Sequence, residues 1–127
     1  VTDVAEQSLV AEWHALLARH AAVSGALECR LQDEHGIGVN EFETLERLAT
    51  CDRKCRAADL TDATHLTQST TSRLISRMER DGLVERSMCD IDRRGIFVML
   101  TAAGRRLYEE AKPTHRAVLR EQLAGEG

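Results

Sequence analysis

No apolar run in this 127-residue chain approaches the roughly 18 residues of a membrane span, and no basic-then-apolar stretch marks a signal segment. A cytoplasmic protein with no membrane partner is the expectation. Catalytic signatures are also missing: there is no Ser-x-x-Lys, Gly-x-Ser-x-Gly, His-Glu-x-x-His or glycine-rich phosphate loop, and the five histidines are scattered. The chain is not expected to be an enzyme, and no cofactor is called for. Cysteine is sparse, four residues at 29, 51, 55 and 89. Cys51 and Cys55 stand three residues apart rather than two, with no histidine at zinc-finger spacing, and would leave two ligands unsupplied, so no metal is expected. A disulfide framework is not expected in a cytoplasmic, helix-rich chain. The thiols are read as incidental. The alternative is oxidant sensing at Cys51 or Cys55, where Arg53, Lys54 and Arg56 would favour the thiolate.

What is present is a hydrophobic content of 43%, which suits one domain over residues 1–127 with a modest core. A net charge of −4 hides an asymmetry. Residues 1–50 hold nine acidic and three basic side chains, a net of −6, whereas residues 68–106 hold eight arginines against five carboxylates, a net of +3. The acidic half can point away from a polyanion while the basic half meets it.

The basic half has a readable pattern. Thr67 is a plausible N-cap, Leu74, Ile75 and Met78 recur at helical spacing, and Gly82 stands where a helix would end in a left-handed residue. A helix is predicted over about 68–81. Its other face carries Gln68, Ser69, Thr70, Ser72, Arg73, Ser76 and Arg77, side chains that bond base edges and phosphates. Two strand-like runs follow, Leu83–Met88 and Ile96–Leu100, around a charged tip with Arg93 and Arg94 suited to a narrow minor groove. Asp92 is assigned to holding that tip. A short helix over Arg56–Thr64 and a turn at His65-Leu66 precede Thr67, so helix, turn, helix and hairpin read as a winged helix-turn-helix.

The run Asp92-Arg93-Arg94-Gly95-Ile96-Phe97-Val98-Met99-Leu100-Thr101 resembles the wing of the MarR family of winged helix-turn-helix regulators. There an Asp-x-Arg-Gly turn leads into a strand ending Leu-Thr, and then into a helix opening with small residues and Gly, as Ala102-Ala103-Gly104 does here. The similarity extends upstream through Leu83-Val84-Glu85-Arg86 to Phe42-Glu43-Thr44-Leu45. The resemblance implies a homodimeric regulator of transcription, a repressor of a pseudo-palindromic operator on double-stranded DNA. It also implies a small aromatic or acidic effector bound between dimer helices and reading head. The competing account is a winged helix used only for protein contacts, without DNA affinity.

The flanks fit such a dimer. Leu9, Trp13, Leu16, His20, Val23, Leu27 and Leu31 follow helical spacing over 4–31, a helix of about 40 Å that outruns what one small domain can cover. Ser24-Gly25 is a candidate bend and Gly36-Ile37-Gly38 the end. Asn40 and Glu43 have capping-box spacing ahead of a short helix with Phe42, Leu45, Leu48 and Ala49 on one face. In the last segment Leu107, Tyr108, Ala111, Val118, Leu119 and Leu123 are apolar at helical spacing, and the single proline, Pro113, predicts two helical pieces. The expected fold is mainly α with a small β-hairpin wing: dimerisation helices about 4–35 and 102–124 around a winged helix-turn-helix of about 39–101. Candidate effector contacts are Trp13, His14, Arg19, His20 and Phe42, since arginine can fork a carboxylate and aromatic rings can stack. The same side chains would serve equally to pack a dimer.

Overall fold

In the computed structural model, the apolar residues at three- and four-residue spacing wind into one uninterrupted helix, α1 (Asp3–His35). The structure describes residues 3–51, 55–89 and 92–124, and the side chains of residues 55, 57, 58, 63, 88, 89 and 92–96 lie outside that description. At 33 residues α1 is about 50 Å long. Ser24-Gly25 does not interrupt it. Only its C-terminal half meets the rest of the chain: Leu27 and Leu31 are buried, whereas Leu9, Trp13 and Leu16 are 66%, 57% and 57% exposed. The helix stops at Gly36, whose left-handed φ of +71° a side chain would disfavour.

Helix α2 (Val39–Thr50) starts ahead of the expected Asn40–Glu43 box. Its N-cap is Gly38, whose N–H donates to Glu41 at 3.5 Å, and the Val39 N–H donates to Glu28 of α1 at 3.0 Å. A carboxylate from a neighbouring helix thus takes an orphan donor and complements the helix dipole, a long-range term that spacing does not reveal. Phe42, Leu45 and Leu48 enter the core as expected.

The chain returns through a two-residue strand, β1 (Cys55–Arg56), then α3 (Ala57–Thr64) and α4 (Gln68–Arg80). His65, left-handed at φ 59°, makes the turn between those helices. Strands β2 (Val84–Cys89) and β3 (Asp92–Leu100) form the hairpin, in antiparallel register from Val84 opposite Leu100 to Met88 opposite Ile96, with an irregularity after Met88. β1 pairs with β3, making a three-stranded sheet of order β1-β3-β2. Two residues are too few to show a strand period, so β1 left no trace in the pattern.

Helix α5 (Ala102–Leu123) runs through Pro113 as one element, not two. Pro113 and Glu109, the residue whose carbonyl loses its donor, are both on the solvent face, so water can satisfy that carbonyl. The opposite face, Tyr108, Ala111, Thr114, His115 and Val118, is buried. Gly104 is needed for the join between hairpin and helix: a Cβ there would stand 2.1 Å from the Leu83 carbonyl oxygen. Thr101 completes that join by donating its hydroxyl to the Gly82 carbonyl at 2.6 Å while accepting from the Gly104 N–H at 3.0 Å. The result is a winged helix-turn-helix with long helices at both ends of the chain. No helix is long and apolar enough to cross a membrane among the described residues.

Candidate nucleic-acid interface

Helix α4 begins where the sequence places it. The Thr67 hydroxyl accepts from the Thr70 N–H at 3.2 Å and donates to the Thr70 hydroxyl at 2.8 Å. It ends at Asp81, followed by Gly82 at φ +78°. Thr71, Leu74, Ile75 and Met78 form the buried stripe that seats the helix on the core. Gln68, Ser69, Thr70, Ser72, Arg73, Arg77 and Arg80 are exposed on the remaining surface and Ser76 is half-buried. The seven helix residues assigned to DNA therefore share one element, but they are not equivalent.

Two flanks of α4 are engaged. On one side the Arg77 guanidinium pairs with Glu41 of α2 at 3.1 Å, the carboxylate side chain being only 13% exposed. On the other, Arg86 of β2 donates to the Ser76 hydroxyl at 2.5 Å. Thr70 is occupied with the cap. Between these flanks Arg73 and Arg80 make no side-chain bond among the described residues, and neither does Gln68, one turn before Ser72 on the Arg86 side. Arg80 was not among the residues singled out from sequence, although it stands two turns after Arg73 and so on the same face. Arg86 was also missed. Its signal is strand alternation, which puts it on the same face of β2 as the buried Val84.

The backbone of residues 92–94 lies in β3. The side chains of Asp92, Arg93 and Arg94, assigned to the tip and its DNA contacts, lie outside the described ones. Arg53 and Lys54 also lie outside the described residues. Arg56 places its guanidinium 5.7 Å from the centre of the Phe97 ring, tying α3's start to β3. Cys51 is disulfide-bonded, which corrects the expectation of unpaired thiols. That expectation rested on the reducing compartment in which disulfides do not persist, an argument about surroundings that says nothing of geometry. Cys29 is a free, exposed thiol. No group of three or more metal-ligating side chains occurs among the described residues.

The five candidate effector residues do not converge within one chain. Trp13, His14, Arg19 and His20 lie on the exposed part of α1, whereas Phe42 is fully buried. Trp13 is 14 positions from Leu27, about 21 Å along the helix. Phe42 instead stacks on His115 of α5, ring centres 4.4 Å apart, and lies 5.6 Å from the Tyr108 ring. His115 Nε2 faces Glu43 at 3.4 Å and its Nδ1 faces an Arg116 nitrogen at 2.6 Å. Arg116 also donates to Glu46, which accepts from the Tyr108 hydroxyl at 3.1 Å. Burial opposes ionisation of Glu46, but the Arg116 hydrogen bond and charge and the Tyr108 bond outweigh it and hold its pKa below the ordinary carboxylate value. Burial, then the Glu46 charge, pushes Tyr108 up. Just before His115 on α5, the Thr114 hydroxyl donates to Glu34 at 3.1 Å and contacts His35 at 2.8 Å. Hydrogen bonds from Arg30 and Thr114 hold Glu34 below its usual range.

This arrangement, an exposed helix face carrying unpaired arginines beside a hairpin, has close structural relatives. A profile of the MarR family matches residues 35–95. AbsC, a MarR family transcriptional regulator from Streptomyces coelicolor, is 32% identical with a TM-score of 0.85, covering 92% of this chain and 79% of that one. Sco3205, a MarR family regulator of the same organism solved in complex with DNA, is 28% identical with a TM-score of 0.85, covering 95% and 75%. CouR from Rhodococcus jostii RHA1, solved with p-coumaroyl-CoA bound, is 27% identical with a TM-score of 0.77, covering 87% and 77%. No curated protein sequence matches the chain. With a relative of this identity aligned over most of both chains, and the family profile spanning the helix-turn-helix and the first half of the wing, the chain belongs to the MarR family of transcriptional regulators.

Proposed function

We propose that the protein is a sequence-specific DNA-binding regulator of transcription that works in the cytoplasm as a homodimer, represses from a pseudo-palindromic operator, and releases it on binding a small aromatic or acidic effector. One observation carries the reading: Arg73 and Arg80 are exposed, and unpaired among the described residues, on one face of a capped, core-anchored helix. Arginine there can bond guanine O6 and N7 bidentately, discriminating by roughly 1–3 kcal/mol. Arg94 at the wing is assigned to phosphate or minor-groove contact. Sco3205, solved on DNA, and CouR, solved with an acyl-CoA, support the two halves of the reading. We assign residues 39–101 to DNA and the helices on either side to dimerisation, and we expect no enzymatic activity.

The test is a salt titration of binding to a sequence selected from a random duplex pool. Arg73→Ala should lose affinity for the selected sequence far more than for random DNA. Arg94→Ala should weaken both by similar factors and flatten the salt slope by about one unit. If both variants bind like wild type, a protein-interaction module becomes the better account. The disulfide at Cys51 favours a second reading, a thiol-based switch. It requires that reductant change DNA affinity and that Cys51→Ser abolish the change.

A further inference from the structure

We infer that Arg86 is the positioning residue that sets the angle between the recognition helix and the wing, and that Ser76 is its receptor rather than a base-reading side chain. The inference deepens the DNA-reading function and rests on it. Arg86 lies on β2 opposite the fully buried Val98 of β3, on the strand face that Val84 extends into the core. An apolar side chain would be the ordinary choice for that row. Here the row reaches α4, and the guanidinium lies along it: Nη2 donates to the Ser76 hydroxyl at 2.5 Å and to the Ser72 carbonyl at 3.4 Å, while Nε stands 3.6 Å from Glu79. Residues 72, 76 and 79 are spaced four and three apart, a single stripe of the helix. Arg86 therefore grips α4 across two turns, beside its buried stripe and next to the face carrying Arg73 and Arg80.

The geometry suits arginine alone. A planar fork can address an acceptor pair and a carboxylate together, while an ammonium is a single point of contact. The Arg86 side chain is 31% exposed and is held by its contacts with Ser76, Ser72 and Glu79, so the fork fixes how far α4 rolls against the hairpin. The roll decides whether Arg73 reaches base edges in the plane that bidentate bonding needs. A contact that orients without touching DNA affects sequence discrimination more than total attraction to phosphate. That separates it from a direct DNA contact.

The experiment uses the full-length protein and the sequence that wild type enriches from a random duplex pool. If wild type enriches none, the DNA-reading function itself fails, and this is distinguishable from failure of the inference. Given an enriched sequence, Arg86→Met should lower affinity for it about tenfold or more while affinity for random duplex changes less than about threefold. The salt slope should remain that of wild type, because no phosphate contact is removed. Ser76→Ala, which leaves strand and core untouched, should reproduce part of the loss of discrimination, and the double variant should be no worse than Arg86→Met alone. Arg86→Lys should fail to restore the discrimination. A slope reduced by about one with equal losses on both DNAs would make Arg86 a phosphate contact and overturn the inference. So would unchanged discrimination in Arg86→Met, or additive losses in the double variant.

Discussion

Leu16→Ala should weaken self-association by about a hundredfold, and the number follows from the chain's own surface. Leu16 is 57% exposed although it continues the apolar stripe that buries Leu27 and Leu31 further along the same helix. If a second copy covers that stripe, the substitution removes three carbon groups worth about 0.8 kcal/mol each on full burial. Scaled by the exposed fraction, this is about 1.4 kcal/mol per chain, and two-fold symmetry doubles it to about 2.7 kcal/mol, close to a hundredfold in Kd. Leu16→Asp should go further, because an unpaired carboxylate would be buried in each half of the interface. The assay is built in. Trp13 is the only tryptophan in the sequence and is 57% exposed in one chain, one turn from Leu16 on the same stripe. Its emission should shift to longer wavelength as wild type is diluted, with the midpoint moving to about a hundredfold higher concentration in Leu16→Ala. Sedimentation of wild type as a monomer at micromolar concentration, or an emission maximum independent of dilution, would refute the reasoning.

Gly104→Ala should lower stability to urea by about 1–3 kcal/mol, since its new carbon would meet the Leu83 carbonyl oxygen, which is backbone and cannot swing aside. Thr67→Ala should lose about 1 kcal/mol in the same assay by uncapping α4. Glu46→Gln should lose about 1–2 kcal/mol at neutral pH after allowance for screening of its partly exposed pair with Arg116. Because the folded carboxylate titrates below its unfolded value, that advantage is full above about pH 5 and disappears as pH falls through the folded pKa, so urea curves of wild type and variant should converge in acid.

The elements with a local cause were legible in the sequence. Helix α4 announced itself through Thr67 at its start, the Leu74, Ile75 and Met78 stripe, and Gly82 at its end, and each is where the pattern placed it. The features that failed are those decided at long range. Glu28 moved the start of α2 by capping it from another helix, solvent on one face let α5 continue through Pro113, and β1 exists only because β3 offers it an edge. The same division applies to the candidate site. The composition of the α4 surface was legible, but nothing local reveals that Glu41, 36 residues away, pairs with Arg77 or that Arg86 bonds Ser76. Within the chain, then, Arg77 and Ser76 have partners, whereas Arg73 and Arg80 have none among the described residues.

Helix α2 is where α4 and α5 meet, and the side chains within one short stretch explain how. Glu41 pairs with Arg77 of α4, while Glu43 and Glu46 reach His115 and Arg116 of α5, and Phe42 between them stacks on His115. A displacement of α5 relative to α2 must break the aromatic stack and the Glu46 contacts before α4 can follow. The stack contributes about 1 kcal/mol beyond its area and the charged hydrogen bonds about 1–2 kcal/mol. An effector acting through α5 therefore needs a differential affinity for the displaced state of about 2–3 kcal/mol, or roughly 30- to 150-fold. A ligand that touches only the exposed part of α1 in a single chain contacts none of these groups. Under the proposed function, effector coupling would run through the α1–α5 packing, where Thr114, the residue before His115, joins α5 to Glu34 and His35 of α1.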